Sequence, residues 1–304
     1  MEARAPSKPI ADPSPDTGVA GAPAQAGALP NLVVIGAQKC GTSGLHYYLG
    51  LHPEVSMSKP KELNFFIEER NWPRGADWYK RQFDARARVR GEASPNYTAY
   101  PQHMGVPERM FSVLPDARLI YVVRDPLERI AAHWVHNFAK RREKGDLAST
   151  LTHRNTSYVV RSQYAMQLQQ FLRHFPPEQI LVIDQADLRD DRDATLRRVF
   201  EFAGVDADFT HPRFHQERHQ TARKTRATRL AIRLDRLNRG RAGKVLPRNL
   251  WLALDELLPL RRPIERPDVH GALDDEVLRV LREDAERLRE LTGRDFAGWS
   301  IWRP

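Results

Sequence analysis

The sequence predicts an α/β fold in which a parallel sheet is flanked by helices, followed by a helical C-terminal third. Two observations carry this prediction. Short runs of uniformly apolar residues have the length of strands, and stretches of helical periodicity separate them. The strand candidates are Leu32 to Ile35, Val89 to Glu92, Leu119 to Arg124 and Ile180 to Asp184. Such strands are typical of a parallel sheet that helices cover on both faces.

Helical patterns lie between and after these strands. A first helix follows residue 41, with apolar residues at Leu45, Tyr48 and Leu49. Two more are predicted over Pro126 to Phe138 and over Tyr158 to Phe175. The last third has two apolar stripes, namely Leu230, Leu234 and Leu237, and then Val277, Leu278, Leu281, Leu288 and Leu291. We expect Trp299 and Trp302 to pack back on the body.

Length and composition limit the domain organisation and the class of protein. The chain has 304 residues, of which 41% are hydrophobic, enough for one large core. We predict a disordered tail rich in Pro and Ala over residues 1–30 and one domain over residues 31–304. No apolar run has the roughly 18 residues of a membrane span. The single cysteine, Cys40, cannot form an internal disulfide, so we expect a cytoplasmic protein.

Positive charge is concentrated in one segment. The formal net charge is +9, and residues 218–248 contain eleven Lys or Arg and one acid, Asp235. Such a segment favours an anionic partner. It could bind a phosphate of a ligand, line the route of an acidic acceptor, or be the solvated face of a helix, and a peripheral membrane contact is also open. No aromatic residues interleave the basic ones, so we predict no nucleic-acid partner.

The first strand runs into a glycine loop and then a helix. Backbone N–H groups and the helix dipole converge there, which makes the loop an anion site. Gly36 and Gly41 keep the spacing of a triphosphate-binding loop, but Thr42 stands in the lysine position and the lysine, Lys39, lies inside the loop. No convincing acidic metal ligand follows a strand. Magnesium-dependent ATP hydrolysis is disfavoured, and a nucleotide kinase is the alternative enzyme.

Five motifs together resemble a known family. They are Ile35-Gly36-Ala37-Gln38-Lys39-Cys40-Gly41-Thr42-Ser43, Leu51-His52-Pro53, Lys61-Glu62-Leu63-Asn64-Phe65-Phe66, Gly91-Glu92-Ala93-Ser94-Pro95-Asn96-Tyr97 and Arg124-Asp125-Pro126-Leu127-Glu128-Arg129. In order and spacing they resemble the sulfotransferases that use 3′-phosphoadenosine 5′-phosphosulfate. The pattern is most similar to the heparan sulfate N- and 3-O-sulfotransferases and their bacterial counterparts, over roughly residues 31 to 205.

The resemblance implies a P-loop-like sulfotransferase fold and a transferase that needs no metal. The enzyme would move a sulfuryl group to a hydroxyl or amine of an unidentified acceptor, such as a carbohydrate, glycolipid, other natural product or peptide tyrosine. The residues implied to hold the 5′-phosphosulfate are Lys39, Cys40, Gly41, Thr42 and Ser43. We expect Lys39 to stabilise the leaving oxygen, because this reaction depends on positioning and charge. The Cys40 side chain is interpreted as a small filler.

The resemblance also implies a general base at Glu62. We expect the neighbouring rings of Phe65 and Phe66 to desolvate its carboxylate and raise its affinity for a proton. If Glu62 is not the base, His133 and His136 are the candidates.

Other positions near this motif differ from the family pattern. Asn64 stands where some relatives carry a histidine, and Ala93 stands where some carry a substrate-binding lysine. Glu92 is predicted to orient Lys39 or the acceptor.

The 3′-phosphate of the donor needs its own positive site. Arg124 matches the family arginine, and a guanidinium can bind two phosphate oxygens. Arg223 and Lys224 resemble the family's late basic loop. The family usually places a serine eight residues after the arginine, whereas this chain has Ala132, which would remove one hydroxyl from the phosphate site.

Overall fold

In this computed structural model, residues 27–143, 145–151, 156–216, 225–227 and 261–303 are described. The strands are β1 (Leu32–Gly36), β2 (Val55–Met57), β3 (Val89–Ala93), β4 (Arg118–Val123), β5 (Ile180–Asp184), β6 (Thr225–Ala227) and β7 (Arg261–Pro263). The helices are α1 (Thr42–Leu49), α2 (Gly75–Lys80), α3 (Val106–Val113), α4 (Pro126–Ala139), α5 (Leu147–Thr150), α6 (Ser157–Val160), α7 (Tyr164–Leu172), α8 (Gln185–Asp190), α9 (Arg192–Ala203) and α10 (Asp275–Thr292).

Five strands form one parallel sheet in the order β2-β3-β1-β4-β5. β1 is central, with Leu32 opposite Gly91 of β3 and opposite Arg118 of β4. The chain goes to one side of β1 for β2 and β3 and to the other side for β4 and β5. The sheet flanked by helices confirms the predicted fold class. The loop after β1 therefore lies where the strand order reverses, which is the usual ligand position in such sheets.

The predicted strands are all present, and three further strands of three residues each, β2, β6 and β7, were not predicted. β2 has three residues, Val55–Met57, too few to give a recognisable apolar pattern. It pairs with β3 at one edge of the sheet.

The predicted helix over Tyr158 to Phe175 is wrong in one respect. The structure has two helices, α6 and α7, with a break at residues 161–163. Within the break, the N–H of Ser162 bonds to the carbonyl of Val159 at 2.8 Å, a tight turn that redirects the chain. The apolar pattern continues across the break, so periodicity alone did not reveal it.

The C-terminal segment packs on the body as expected. On α10, four of the five predicted stripe residues are buried, and Leu291 is 39% exposed. Trp299 is buried and its ring Nε1 donates to Asp184 at 2.7 Å, and Trp302 packs partly buried against the core. The stripe at Leu230, Leu234 and Leu237, and residues 1–26 of the predicted tail, lie outside the described residues.

Candidate active site

The loop between β1 and α1 turns sharply at two residues. Lys39 and Gly41 have φ angles of 74° and 94°, in the left-handed region that strongly favours glycine. Gly41 is the N-cap residue of α1 and, having no side chain, leaves the first turn of the helix uncapped. The start of α1 therefore has no side-chain cap, an arrangement that suits an anion.

Cys40 lies inside this loop but faces the core. Its side chain is fully buried, and Sγ lies 3.5 Å from the hydroxyl of Tyr164. Burial raises the pKa of the thiol to about 11, so it is protonated at neutral pH. Cys40 is a packing group in this structure and not a nucleophile.

The segment carrying Glu62 forms a second sharp turn. Glu62 and Asn64 have φ angles of 66° and 48°, and the Asn64 amide donates to the Glu62 carbonyl at 2.8 Å. Asn96 in turn donates to the Asn64 side-chain oxygen at 3.0 Å. Asn64 thus holds the backbone of the turn.

The Glu62 carboxylate is not desolvated by the neighbouring rings, so that expectation is wrong. Its side chain is 44% exposed and pairs with Lys61 at 3.0 Å. Phe65 and Phe66 are fully buried and pack in the core, away from the exposed Glu62 side chain. If Glu62 acts as a base, it does so as a solvent-accessible carboxylate and not as a desolvated one.

Glu92 is fully buried under this turn. Its Oε1 accepts from the hydroxyls of Tyr79 at 2.5 Å and Tyr97 at 2.8 Å, and its Oε2 accepts from Ser94 at 2.5 Å. Burial raises the pKa of this carboxyl, opposed by the three hydroxyl donors. Glu92 therefore organises the hydroxyls beneath the Glu62 turn, a contact set that the sequence prediction did not include.

Arg124 joins the loop to the C-terminal segment. Its Nη1 donates to the Lys39 carbonyl at 3.5 Å and its Nη2 to the Glu128 carboxylate at 2.6 Å. Arg266 also pairs with Glu128. The two guanidiniums hold the pKa of Glu128 below its usual value, in spite of partial burial. Sequence reasoning missed Arg266, because nothing near it in the chain connects it to α4.

One cavity of about 960 Å³ lies beside the loop. Lys39, Gly41, Thr42 and Ser43 line it, and so does Glu62. Within the described part of the chain, its lining has one acid and five Lys or Arg, namely Lys39, Arg70, Lys140, Arg142 and Arg161. The predicted base and most of the predicted phosphosulfate residues thus meet in one strongly positive cavity.

Arg161 reaches the cavity because of the break between α6 and α7. Only 7% of the residue is exposed, and burial lowers the pKa of its guanidinium to about 10. Its described partners are the amide oxygens of Gln38, Asn96 and Gln102, at 2.7 to 3.1 Å. The sequence prediction missed Arg161, since it assumed an unbroken helix there.

Two carboxylates at or just after the ends of strands are helix caps. Asp125 accepts from the N–H groups of Leu127 and Glu128 at the start of α4, and Asp184 accepts from Ala186 at the start of α8. Across the described residues, no group of three or more His, Cys, Asp or Glu could hold a metal ion. Ala132 is buried in α4. Arg223 and Lys224, and nearly all of residues 218–248, lie outside the described residues.

Comparison with known proteins identifies the family. Residues 29–233 match the family described as "Sulfotransferase domain", which is more than half of the chain. The chain belongs to this sulfotransferase family. The sulfotransferase domain is similar to human bifunctional heparan sulfate N-deacetylase/N-sulfotransferase 3, with 31% identity over 198 residues, 58% of this chain and 22% of that protein.

A further relative and a solved structure are also named as sulfotransferases. Mouse heparan sulfate glucosamine 3-O-sulfotransferase 3B1 is 31% identical over 198 residues, 62% of this chain and 49% of that protein. The chain thus spans about a fifth to a half of the length of these relatives. A crystal structure of a sulfotransferase from Alicyclobacillus acidocaldarius has a TM-score of 0.64 and 25% identity, covering 90% of this chain and 99% of that one.

In the described residues of the sulfotransferase, no helix is long and apolar enough to cross a membrane. The cytoplasmic location and the single domain over residues 31–304 stay predictions.

Proposed function

We propose that this chain transfers a sulfuryl group from 3′-phosphoadenosine 5′-phosphosulfate to a hydroxyl or amine of a carbohydrate. The main support is that Lys39, inside the loop that opens α1, lines the same cavity as Glu62. A cation next to an open helix N-terminus suits a sulfonated phosphate, and an accessible carboxylate in the same cavity suits the removal of a proton.

The donor side of the site uses the loop and the start of α4. The residues proposed to bind the 5′-phosphosulfate are Lys39, Gly41, Thr42 and Ser43, together with the backbone of Cys40. Arg124 is proposed to bind the 3′-phosphate, and Arg266, which shares Glu128 with it, adds a second positive group there. Arg223 and Lys224 are proposed to complete this phosphate site.

In the proposed reaction, the acceptor oxygen or nitrogen attacks sulfur and forms the new S–O or S–N bond. The bond between sulfur and the bridging phosphate oxygen breaks, and adenosine 3′,5′-bisphosphate leaves. The Lys39 ammonium stabilises the negative charge that develops on the leaving oxygen. Glu62 takes the acceptor proton, and the Lys61 ammonium lies 3.0 Å from the Glu62 carboxylate.

A carbohydrate acceptor is supported by the relatives and by the cavity. Two relatives are named for action on heparan sulfate, and the cavity of about 960 Å³ is as large as typical ligand pockets become. Its polar lining includes Asn96, Gln102 and Asn137, whose amides can both donate to and accept from sugar hydroxyls.

The test begins with binding of the spent donor. We expect calorimetry to detect adenosine 3′,5′-bisphosphate, and to show no comparable binding of ATP with Mg²⁺. Lys39→Ala should weaken transfer about 100-fold or more, since it removes one charge-stabilising donor. Lys80→Ala, at an exposed lysine that pairs with Asp77, is the matched control.

Acceptors are then screened with radiolabelled donor. The panel includes N-desulfated heparan sulfate, simple glycosides and a tyrosine peptide. Label in a saccharide supports the proposal, whereas label in the peptide alone contradicts the acceptor class. Preference for ATP with Mg²⁺ over the bisphosphate would instead indicate a kinase.

A further inference from the structure

A buried arginine and a histidine one turn apart on α4 form part of the cavity wall. Arg129 is fully buried, and His133 is 5% exposed and lines the cavity. Nη2 of Arg129 lies 2.9 Å from Nδ1 of His133. The other Arg129 contacts are the carbonyls of Gln38 and Tyr158 and the hydroxyl of Ser162, at 2.7 to 3.2 Å. The guanidinium is thus held in one orientation.

This contact determines which histidine nitrogen carries the proton. A guanidinium has donors only, so Nδ1 of His133 must be the acceptor and must be unprotonated. A neutral imidazole has one N–H group, which therefore lies on Nε2. Because Nδ1 is turned to Arg129, Nε2 is the polar atom that His133 offers to a molecule in the cavity.

The surroundings also oppose a second proton on His133. Burial, followed by the positive charges of Arg129, Arg161 and Lys39 and the ring of His136, keeps the pKa of His133 far below its usual value. The Tyr158 ring packs at 4.4 Å from the His133 ring and contributes no opposing negative charge. A proton on Nδ1 would in addition point at the N–H of Arg129.

We propose that Arg129 holds His133 permanently as the neutral imidazole with Nε2–H, and that this N–H is a fixed donor to an oxygen of the sulfuryl acceptor. Arg129 is then a positioning residue and His133 is a binding residue. The identity of the bound molecule rests on the proposed function. One consequence is that His133 cannot serve as the alternative base, which strengthens the assignment of Glu62.

The test is long-range ¹H–¹⁵N NMR of the histidine side chains in the full chain. We expect one imidazole, assigned by its loss in His133→Gln, to show the Nε2–H pattern without titration from pH 5 to 8. His136→Gln is the matched control for the assignment and should leave that signal in place. An Nδ1–H pattern, or titration of His133 within this range, overturns the proposal.

Two substitutions test the role of Arg129. Lysine also has donors only, so Arg129→Lys should leave the His133 pattern unchanged. Arg129→Met removes the donor, and His133 should then populate both tautomers or begin to titrate. A folded Arg129→Met protein with an unchanged His133 pattern overturns the positioning role. If this variant does not fold, a lost Nε2–H pattern in Arg129→Lys overturns that role and a retained one supports it.

The donor contact is tested with an oligosaccharide of N-desulfated heparan sulfate and adenosine 3′,5′-bisphosphate. We expect the Nε2–H proton resonance to shift, and no shift overturns the donor contact. Calorimetry with the bisphosphate on the same sample tests the proposed function separately, because it measures nucleotide binding and not the donor contact of His133. Absent nucleotide binding with a neutral Nε2–H imidazole contradicts the function and leaves the tautomer assignment intact.

Discussion

Two glutamates lie close to the sharp turn at residues 62–65, and their surroundings differ completely. The Glu62 side chain is 44% exposed, faces the cavity and pairs with Lys61. Glu92 is fully buried and accepts hydrogen bonds from three hydroxyls. Two of these hydroxyls accept in turn from the turn itself, since the N–H of Asn64 bonds to Ser94 and that of Phe65 to Tyr97, each at 2.9 Å.

The difference in burial predicts a chemical role for Glu62 and a positioning role for Glu92. An accessible carboxylate can exchange a proton with a bound acceptor, whereas a carboxylate surrounded by hydroxyls is a fixed acceptor of hydrogen bonds. Glu92 thus connects, through Ser94 and Tyr97, to the backbone that presents Glu62. Substitution at the two positions should affect different measurements.

The largest effect is expected at Glu62. Glu62→Gln keeps the shape of the side chain but removes its basicity, so transfer should fall about a thousandfold. Binding of adenosine 3′,5′-bisphosphate and the melting temperature should stay unchanged. Single-turnover transfer of label and calorimetry measure the two quantities.

Glu68→Gln is the matched control for this substitution. Glu68 is an exposed glutamate that pairs with Arg109 at 3.3 Å and does not belong to the cavity lining. Its substitution should leave transfer unaffected. A Glu62→Gln enzyme with full transfer would show that the base lies elsewhere.

The next effect is expected at Glu92 and concerns stability. Glu92→Leu leaves three buried hydroxyls without their acceptor, which should lower the free energy of unfolding by about 3 to 4 kcal/mol. Urea denaturation measures this loss. A loss below about 1 kcal/mol would mean that the hydroxyls find other partners, and the contrast between the glutamates would then fail.

The sequence predicted the loop around Lys39 better than the site residues that come from other segments of the chain. The strand, loop and helix around Lys39 are contiguous, so spacing alone indicates the anion site. Arg161 reaches the cavity through a helix break, and Arg266 reaches Glu128 from a distant segment, neither of which local patterns encode. Glu62 lines the cavity, but local sequence patterns do not encode its exposure or the positive φ angles of Glu62 and Asn64.

A third carboxylate tests how burial changes the pH dependence of the stability of the fold. Asp284 on α10 is buried and accepts from the N–H groups of Ala165 and Met166, each at 2.9 Å, and burial raises its pKa to about 6. A carboxyl with a raised pKa favours the folded state most when protonated. Its contribution is therefore present below about pH 4 and is lost as the pH rises through about 6.

The size of this pH effect follows from the shift. Because the pKa of Asp284 rises from its ordinary value of 3.8 to about 6, the loss in the free energy of unfolding is about 3 kcal/mol. Urea denaturation between about pH 4 and pH 7 should show this loss in the parent protein and not in Asp284→Asn. Equal pH slopes in the two proteins would contradict it.

The smallest and most specific effect is expected from a pair of tyrosines. Tyr79 and Tyr97 both donate to Oε1 of Glu92, but only Tyr97 also accepts from the N–H of Phe65. Tyr79→Phe and Tyr97→Phe should each lower the free energy of unfolding by about 1 to 2 kcal/mol. Only Tyr97→Phe releases the backbone next to the Glu62 turn, so only it should slow transfer while nucleotide binding stays unchanged. Equal transfer rates in the two variants would mean that Glu92 stabilises the fold without positioning Glu62.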